Sequence, residues 1–495
     1  MAKPAAAQSA TAQKRLSTGI SGLDSILSGG FIPNQAYLLR GGPGSGKTTL
    51  GLHFLAQTIE QEPALFITLG EVESKIRRNA EIRGLDLKNV HFLDLTPSAD
   101  FFTEDKSYDI FLPADVERES VTNQIINSVK SLHPKRVFID SITQFRYLSS
   151  DNYQFHQQVL SFIRFLTDED VTTLFTSESG RVTPDDDLQF LSDGVISLET
   201  LPDRRILQVN KFRGSGFSEG LHSLKLTQTG VEVFPQLKPE KHARAFEPDT
   251  IPSGVPELDE LLHGGIERGT VTIVTGPTGV GKTTFGLQFM KEAAGRGERS
   301  AVYTFEETED TVLHRCEGIN IPVRAMIEQG TLAIEMVEAL ALTPDEFAQM
   351  VRHQVEQQGV QIVMIDSIAG YKIAIRGDHL VSHVHALCRY LQNMGITTLL
   401  INEVESITGN FKATEQGLSY LADNIVFLRH LEIRGELRKA IGVLKKRLSS
   451  FERTLREFEI TRYGVKVGAP LSNLRNILSG VPEWVKPSSD PSNED

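Results

Sequence analysis

The sequence predicts an α/β protein of two tandem domains, each a mainly parallel sheet flanked by helices, and three observations predict it. The first is a repeat. "STGISGLDSILSGGFIPNQAYLLRGGPGSGKTTLGLHFL" aligns without a gap on "PSGVPELDELLHGGIERGTVTIVTGPTGVGKTTFGLQFM", so Gly19, Asp24, Gly29, Gly30, Gly41 and Lys47 fall on Gly254, Asp259, Gly264, Gly265, Gly276 and Lys282. Self-similarity on this scale is a duplicated domain of about 220 to 230 residues rather than a short-period solenoid. The second is size: 495 residues at 40% hydrophobic content are more than one core accommodates. The third is the texture of each copy, in which short β-rich apolar runs alternate with longer helical patterns.

Taken in order, residues 1–16 are an Ala-rich tail with no signal-peptide core. The first domain, 17–237, carries the runs "AYLLRG", "ALFITL", "VHFLDL", "RVFIDS" and "TTLFTS". Continuous hydrophobicity suits strands covered on both faces, hence a parallel sheet between helices. "RRILQVNKF" alternates and predicts an antiparallel edge. Residues 238–249, polar and bounded by prolines, read as a linker. The second domain, 250–470, repeats the pattern with "TVTIVTG", "AVYTF", "LAIEMV", "QIVMIDS" and "TTLLINE", then the alternating "KAIGVLKKR". Residues 471–495 are a second tail, with Trp484 expected to anchor it.

A net charge of −13 argues against wrapping nucleic acid over the whole surface, although a narrow basic pore remains compatible with it. Two cysteines, Cys316 and Cys388, cannot staple a chain of this size and read as small buried hydrophobes in a reducing compartment. No apolar run reaches membrane-spanning length, so a cytoplasmic protein is expected.

Each copy contains a phosphate-binding loop between an apolar run and a helical pattern: Gly41, Gly42, Pro43, Gly44, Ser45, Gly46, Lys47, Thr48 and Thr49, then Gly276, Pro277, Thr278, Gly279, Val280, Gly281, Lys282, Thr283 and Thr284. Glycines let backbone N–H groups curl around phosphate oxygens, Lys47 and Lys282 neutralise terminal phosphates, and Thr48 and Thr283 can ligate Mg2+. Asp140 and Asp366, each ending an apolar run, can hold the metal's hydration shell. With no guanine-specificity signature visible, ATP is the expected nucleotide. In the second copy Glu306 and Glu307 end a run where a carboxylate can orient or deprotonate an attacking water or hydroxyl. The first copy keeps Glu71 but has Gly70 where the partner acid would be. Late in each copy come Lys211 with Arg213, and Lys445 with Arg447; these suit either solvated edge strands or a finger reaching a neighbouring subunit's phosphate.

The tandem loops, the "FEE" run end, the Lys-x-Arg pairs, "LEIRGE" and "RTLREFEI" together resemble the KaiC family of circadian-clock ATPases, over residues 14 to 485. The resemblance implies two RecA-like P-loop NTPase domains and a two-tiered homohexamer with ATP and Mg2+ at subunit interfaces. It implies that the first ring hydrolyses ATP while the second phosphorylates adjacent hydroxyls before "LEIRGE", here Ser419 and Tyr420, with Thr414 taking part. The family usually has Ser-Thr where this chain has Ser419-Tyr420, and Leu448 replaces a glycine expected after Lys445-x-Arg447. KaiB-like or histidine-kinase-type signalling partners follow from the resemblance. Activator binding through the tail is not expected, since the chain ends soon after "NILSGVPEWV" without the longer extension of clock members. The alternatives are a nucleic-acid-dependent motor of RecA type and a nucleotide-gated scaffold with little turnover.

Other constellations carry less. His379, His383, His385 and Cys388 lie in a helical pattern whose Leu380, Val384 and Leu387 spacing fits packing better than metal binding. "TPDDDLQF" reads as a loop and helix start, with its aspartates at the N-terminal end.

Overall fold

The computed structural model describes residues 14–96, 114–149, 151–178, 185–338, 340–375, 380–404, 420–477 and 483–484. Thr414, Ser419 and His379 lie outside them. The chain divides into two compact units, one ending at Gln236 and the other beginning at Leu237. No described helix is long and apolar enough to cross a membrane.

The first unit is built on nine strands: β1 (Ala36–Gly41), β2 (Ala64–Thr68), β3 (Val90–Asp94), β4 (Arg136–Asp140), β5 (Thr172–Glu178), β6 (Gly194–Thr200), β7 (Arg205–Phe212), β8 (His222–Thr227) and β9 (Gly230–Phe234). Their order across the sheet is β3-β2-β4-β5-β1-β6-β7-β8-β9. Pairing is parallel from β3 through β6 and antiparallel from β6 to β9. One apolar cluster, with Phe31, Phe54, Phe66 and Phe138, covers one face; another, with Ile67, Val137, Ile139 and Phe175, covers the other. That double cover is why the five parallel runs are apolar at nearly every position rather than alternating.

The second unit opens with a two-residue pair, β10 (Thr250–Ile251) and β11 (Ile266–Glu267). Its main sheet comprises β12 (Val271–Gly276), β13 (Arg299–Thr304), β14 (Leu332–Met336), β15 (Val360–Asp366), β16 (Thr397–Glu403), β17 (Asn424–Ile433), β18 (Glu436–Lys446), β19 (Arg456–Thr461) and β20 (Gly464–Pro470). The order, β14-β13-β15-β16-β12-β17-β18-β19-β20, is that of the first unit element for element. The two alternating runs are β7 and β18, antiparallel as expected but not edges: β8 and β19 pair on their far sides, and β9 and β20 end the sheets. A last pair, β21 (Leu474–Arg475) with β22 (Glu483–Trp484), brings Trp484 under Arg434 at 5.0 Å.

The helices Lys47–Ala56 and Lys282–Gly295 follow the phosphate loops and lie flat on their sheets. Close approach dictates a glycine in each: a Cβ on Gly51 would meet the Phe138 ring at 2.1 Å, and one on Gly286 the Met364 sulfur at 2.3 Å. Phe138 and Met364 each lie two residues before the strand-end acid, so both helices pack on the same strand position.

Residues 238–249 are not free chain but a strap on the second unit. Asn393 donates to the Pro239 carbonyl (2.9 Å), the Arg244 amide donates to the Asn393 carbonyl (2.9 Å), and the His242 ring meets Tyr390 edge-on at 5.2 Å. Phe246 covers Gly269 and Gly395, where any Cβ would collide with its ring.

His53 marks a difference between the copies. Its Nε2 accepts the Val231 amide at 3.0 Å, fastening the first loop's helix to β9, and its ring also bonds the Gly19 backbone. Burial holds its pKa below the ordinary histidine value. The unfolded chain therefore binds the proton more readily, so this contribution to stability is present above about pH 6.5 and lost on acidification below it. Gln288 occupies the equivalent place in the second unit. His53→Gln is expected to flatten the acid side of the first unit's stability profile, seen as a smaller fall in melting temperature between pH 7.5 and 5.5.

Candidate nucleotide sites

Each site forms at the C-terminal edge of its parallel strands. In the first unit, Gly46 takes a left-handed conformation (φ 103°) that turns the chain from loop into helix, and Gly281 does so in the second (φ 113°). Only glycine adopts these angles without strain. The turn aims the first helical N–H groups into the loop, the arrangement that receives phosphate. The loop is open there, since a Cβ added to Gly44 or Gly279 would meet nothing within 4 Å.

Lys47 Nζ donates to the carbonyls of Gly41 (2.7 Å) and Gly42 (3.0 Å), and Lys282 Nζ to that of Pro277 (2.9 Å). Burial lowers the pKa of both ammonium groups. Asp140 and Glu178 oppose the shift at Lys47, while Glu403, Asp366 and Glu306 oppose it at Lys282. An anion arriving beside either lysine therefore acts against the effect of burial and favours the charged form.

Thr48 donates to Asp140 and Thr283 to Asp366, each at 2.5 Å, so loop hydroxyl and strand-end acid lie side by side in both units. Asp140 takes a second hydroxyl from Thr176 (2.6 Å), where the second unit has Ile401. Asp366 is less well compensated. Burial raises its pKa and the Glu307 charge adds to the rise, against the Thr283 bond, Arg315 and Lys282. A hydroxyl and a carboxylate converging beside a phosphate loop are oxygen donors of the kind Mg2+ takes, so these residues fit that ion.

The acids after β2 and β13 occupy equivalent turns. Thr68 donates to the Glu71 carbonyl and Thr304 to that of Glu307. Glu307 is ion-paired with Arg315 at 2.5 Å, and Glu71 with Lys75 at 2.9 Å. Glu306 instead accepts the Ser367 hydroxyl (3.1 Å) and acts on Lys282. Gly70 leaves that position without a side chain in the first unit.

The basic pairs lie at the opposite strand ends. Lys211 is in register with Val195, three residues before Leu198, the partner of Gly41. That is roughly 10 Å along the sheet and about as far across it. Lys211 Nζ caps the carbonyls of Gln189 (2.8 Å) and Ser192 (2.7 Å), and Arg213 faces Asp193 at 3.6 Å. Lys445 Nζ donates to the Ala422 carbonyl (2.6 Å), and Arg447 to Asp423 (3.1 Å). Neither pair reaches the cradle of its own unit. Tyr420 is exposed, with its ring 6.0 Å from that of His385.

Sequence reasoning passed over Glu178 and Glu403. They end β5 and β16, the strands between the loop strand and the Asp140 or Asp366 strand, and sit in register with Gly41 and Gly276. The signal was available in the repeat, "TTLFTSE" against "TTLLINE".

The family model for the KaiC ATPase matches residues 16–238 and again 251–472. Among curated relatives, the circadian clock oscillator protein KaiC of Parasynechococcus marenigrum (strain WH8102) is 28% identical, covering 97% of this chain and 96% of its own length. That of Prochlorococcus marinus (strain MIT 9313) is 29% identical over 95% and 96%. Circadian clock oscillator protein KaiC 1 of Synechocystis is 27% identical over 95% and 92%. With two matched copies in two units of one topology, each carrying a phosphate loop, the chain belongs to the KaiC family of ATPases.

Proposed function

We propose that this protein binds and hydrolyses ATP with Mg2+ as a ring of six subunits, and that its second unit transfers phosphate to a hydroxyl in the 414–420 stretch of a neighbouring subunit. The observation that carries the reading is the split of each catalytic set across its own sheet. Loop, metal-holding acid and candidate base share one edge, while the Lys-x-Arg pair lies at the other. A head-to-tail ring returns one subunit's far edge to the next subunit's cradle. Lys211 and Arg213, or Lys445 and Arg447, would then supply the positive charge that stabilises the transferring phosphoryl group.

Within the cradle, loop amides and Lys282 hold the phosphates. Mg2+, when bound, neutralises charge between the terminal phosphates, and Thr283 and Asp366 are the residues that would hold it. Glu306, oriented by Ser367, takes the proton from the attacking hydroxyl as its oxygen bonds to the γ-phosphorus, and ADP leaves. With water as the nucleophile the same steps give hydrolysis. Thr414, Ser419 and Tyr420 are the candidate acceptors, and the phosphorylation or nucleotide state is read by protein partners, KaiB-like or of histidine-kinase type, in circadian or related signalling.

Incubation of the purified chain with Mg-ATP, followed by intact mass and peptide mapping, tests this. An added 80 Da, roughly one phosphate, within 414–420 is the expected result. ADP release with no covalent phosphate would reduce the reading to a ring ATPase or scaffold.

A further inference from the structure

The two phosphate loops are gripped differently. In the second unit the Thr278 hydroxyl donates to the Glu403 carboxylate at the end of β16. On the loop's other flank, paired residues of β17 and β18 hold its carbonyl rim: Lys439 Nζ donates to Gly279 (3.2 Å), and the His430 ring bonds the Thr278 backbone. In the first unit Pro43 stands where Thr278 does and has no hydroxyl to offer. Glu178 occupies the same register beside Gly41 as Glu403 does beside Gly276. An acid beside the loop is thus common to both cradles, but only the second carries a side chain that draws it onto the loop.

A carboxylate fixed there occupies a hydroxyl donor of the loop and places a negative charge in the region that phosphate oxygens must enter, facing Lys282. Like charges a few ångströms apart in a half-buried site repel appreciably. Resting on the reading of this cradle as a nucleotide site, we propose that Thr278 and Glu403 form a displaceable counter-anion that sets the second cradle's affinity for nucleotide phosphates below that of the first. Loading the second cradle drives the carboxylate off the loop. The first cradle fills without that step, so the two rings load at different nucleotide concentrations.

The test is titration of the full-length chain with a fluorescent, non-hydrolysable ATP analogue in Mg2+, with Lys282→Ala used to identify the binding phase that belongs to the second cradle. Glu403→Gln keeps an acceptor for Thr278 but removes the charge, and is expected to tighten that phase about tenfold while leaving the other unchanged. Thr278→Val keeps the charge but releases it, and is expected to tighten the same phase by a smaller factor. A brace that merely stiffens the loop predicts the reverse, a silent Glu403→Gln and a weakening Thr278→Val, and either result overturns the proposal. Wild-type chain that binds no analogue overturns the reading of the site and this inference with it, whereas two intact phases that ignore Glu403→Gln overturn the inference alone.

Discussion

Glu306→Gln is expected to lower phosphoryl transfer in the second unit by about a hundredfold or more at saturating ATP, with little change in nucleotide affinity. The two adjacent acids are not equivalent. Glu307 is tied to Arg315 at 2.5 Å, so its carboxylate is committed to that ion pair rather than aimed at a nucleophile. Glu306 accepts the Ser367 hydroxyl at 3.1 Å, has no ion pair among the described residues, and lies close enough to act on Lys282. Glu307→Gln should therefore cost less in the chemical step. It also removes a charge that pushes the Asp366 pKa up, and should ease retention of the Asp366 carboxylate. Single-turnover rates of the two variants, measured beside their nucleotide affinities, separate these roles. A larger loss in Glu307→Gln than in Glu306→Gln would reverse the assignment.

The central sheets were legible because burial on both faces forces apolar residues into consecutive positions, and duplication made each run verifiable against its copy. The edge hairpins β8–β9 and β19–β20 were not. Runs such as "HSLKLT" and "GVEVF" alternate over only five or six residues, too short to tell a half-buried strand from a turn. The docked strap was hidden for another reason: its hold depends on Phe246 meeting Gly269 and Gly395, residues remote in sequence with no local signature. Loop, lysine and threonine were readable as a motif, since a phosphate cradle is made locally by backbone. The contact of Glu403 with Thr278 was not, even though the repeat marks the acid itself, because that contact is created by the strand order that puts β16 beside β12. The same order separates Lys211 and Arg213 from their own cradle, and spacing along the chain cannot express that.

Gly70→Glu should raise ATP turnover by the first unit about tenfold, less than the full effect of a general base because Glu71 remains. Space and backbone both admit the change. A Cβ on Gly70 meets nothing within 4 Å, and its φ lies outside the left-handed range. The Thr68–Glu71 turn matches the Thr304–Glu307 turn that presents Glu306. Ser141 precedes the 3-10 helix after β4 with φ −117°, as Ser367 precedes its helix with φ −116°, so a hydroxyl stands where a new carboxylate would need its orienting donor. Steady-state ADP release measured in a Glu306→Gln, Glu307→Gln background isolates the first unit. Unchanged turnover would mean that Glu71 alone already supplies the base. A rise that disappears when Ser141 is changed to Ala would show that the catalytic difference between the two cradles lies largely in one missing side chain, with the surrounding scaffold retained in both.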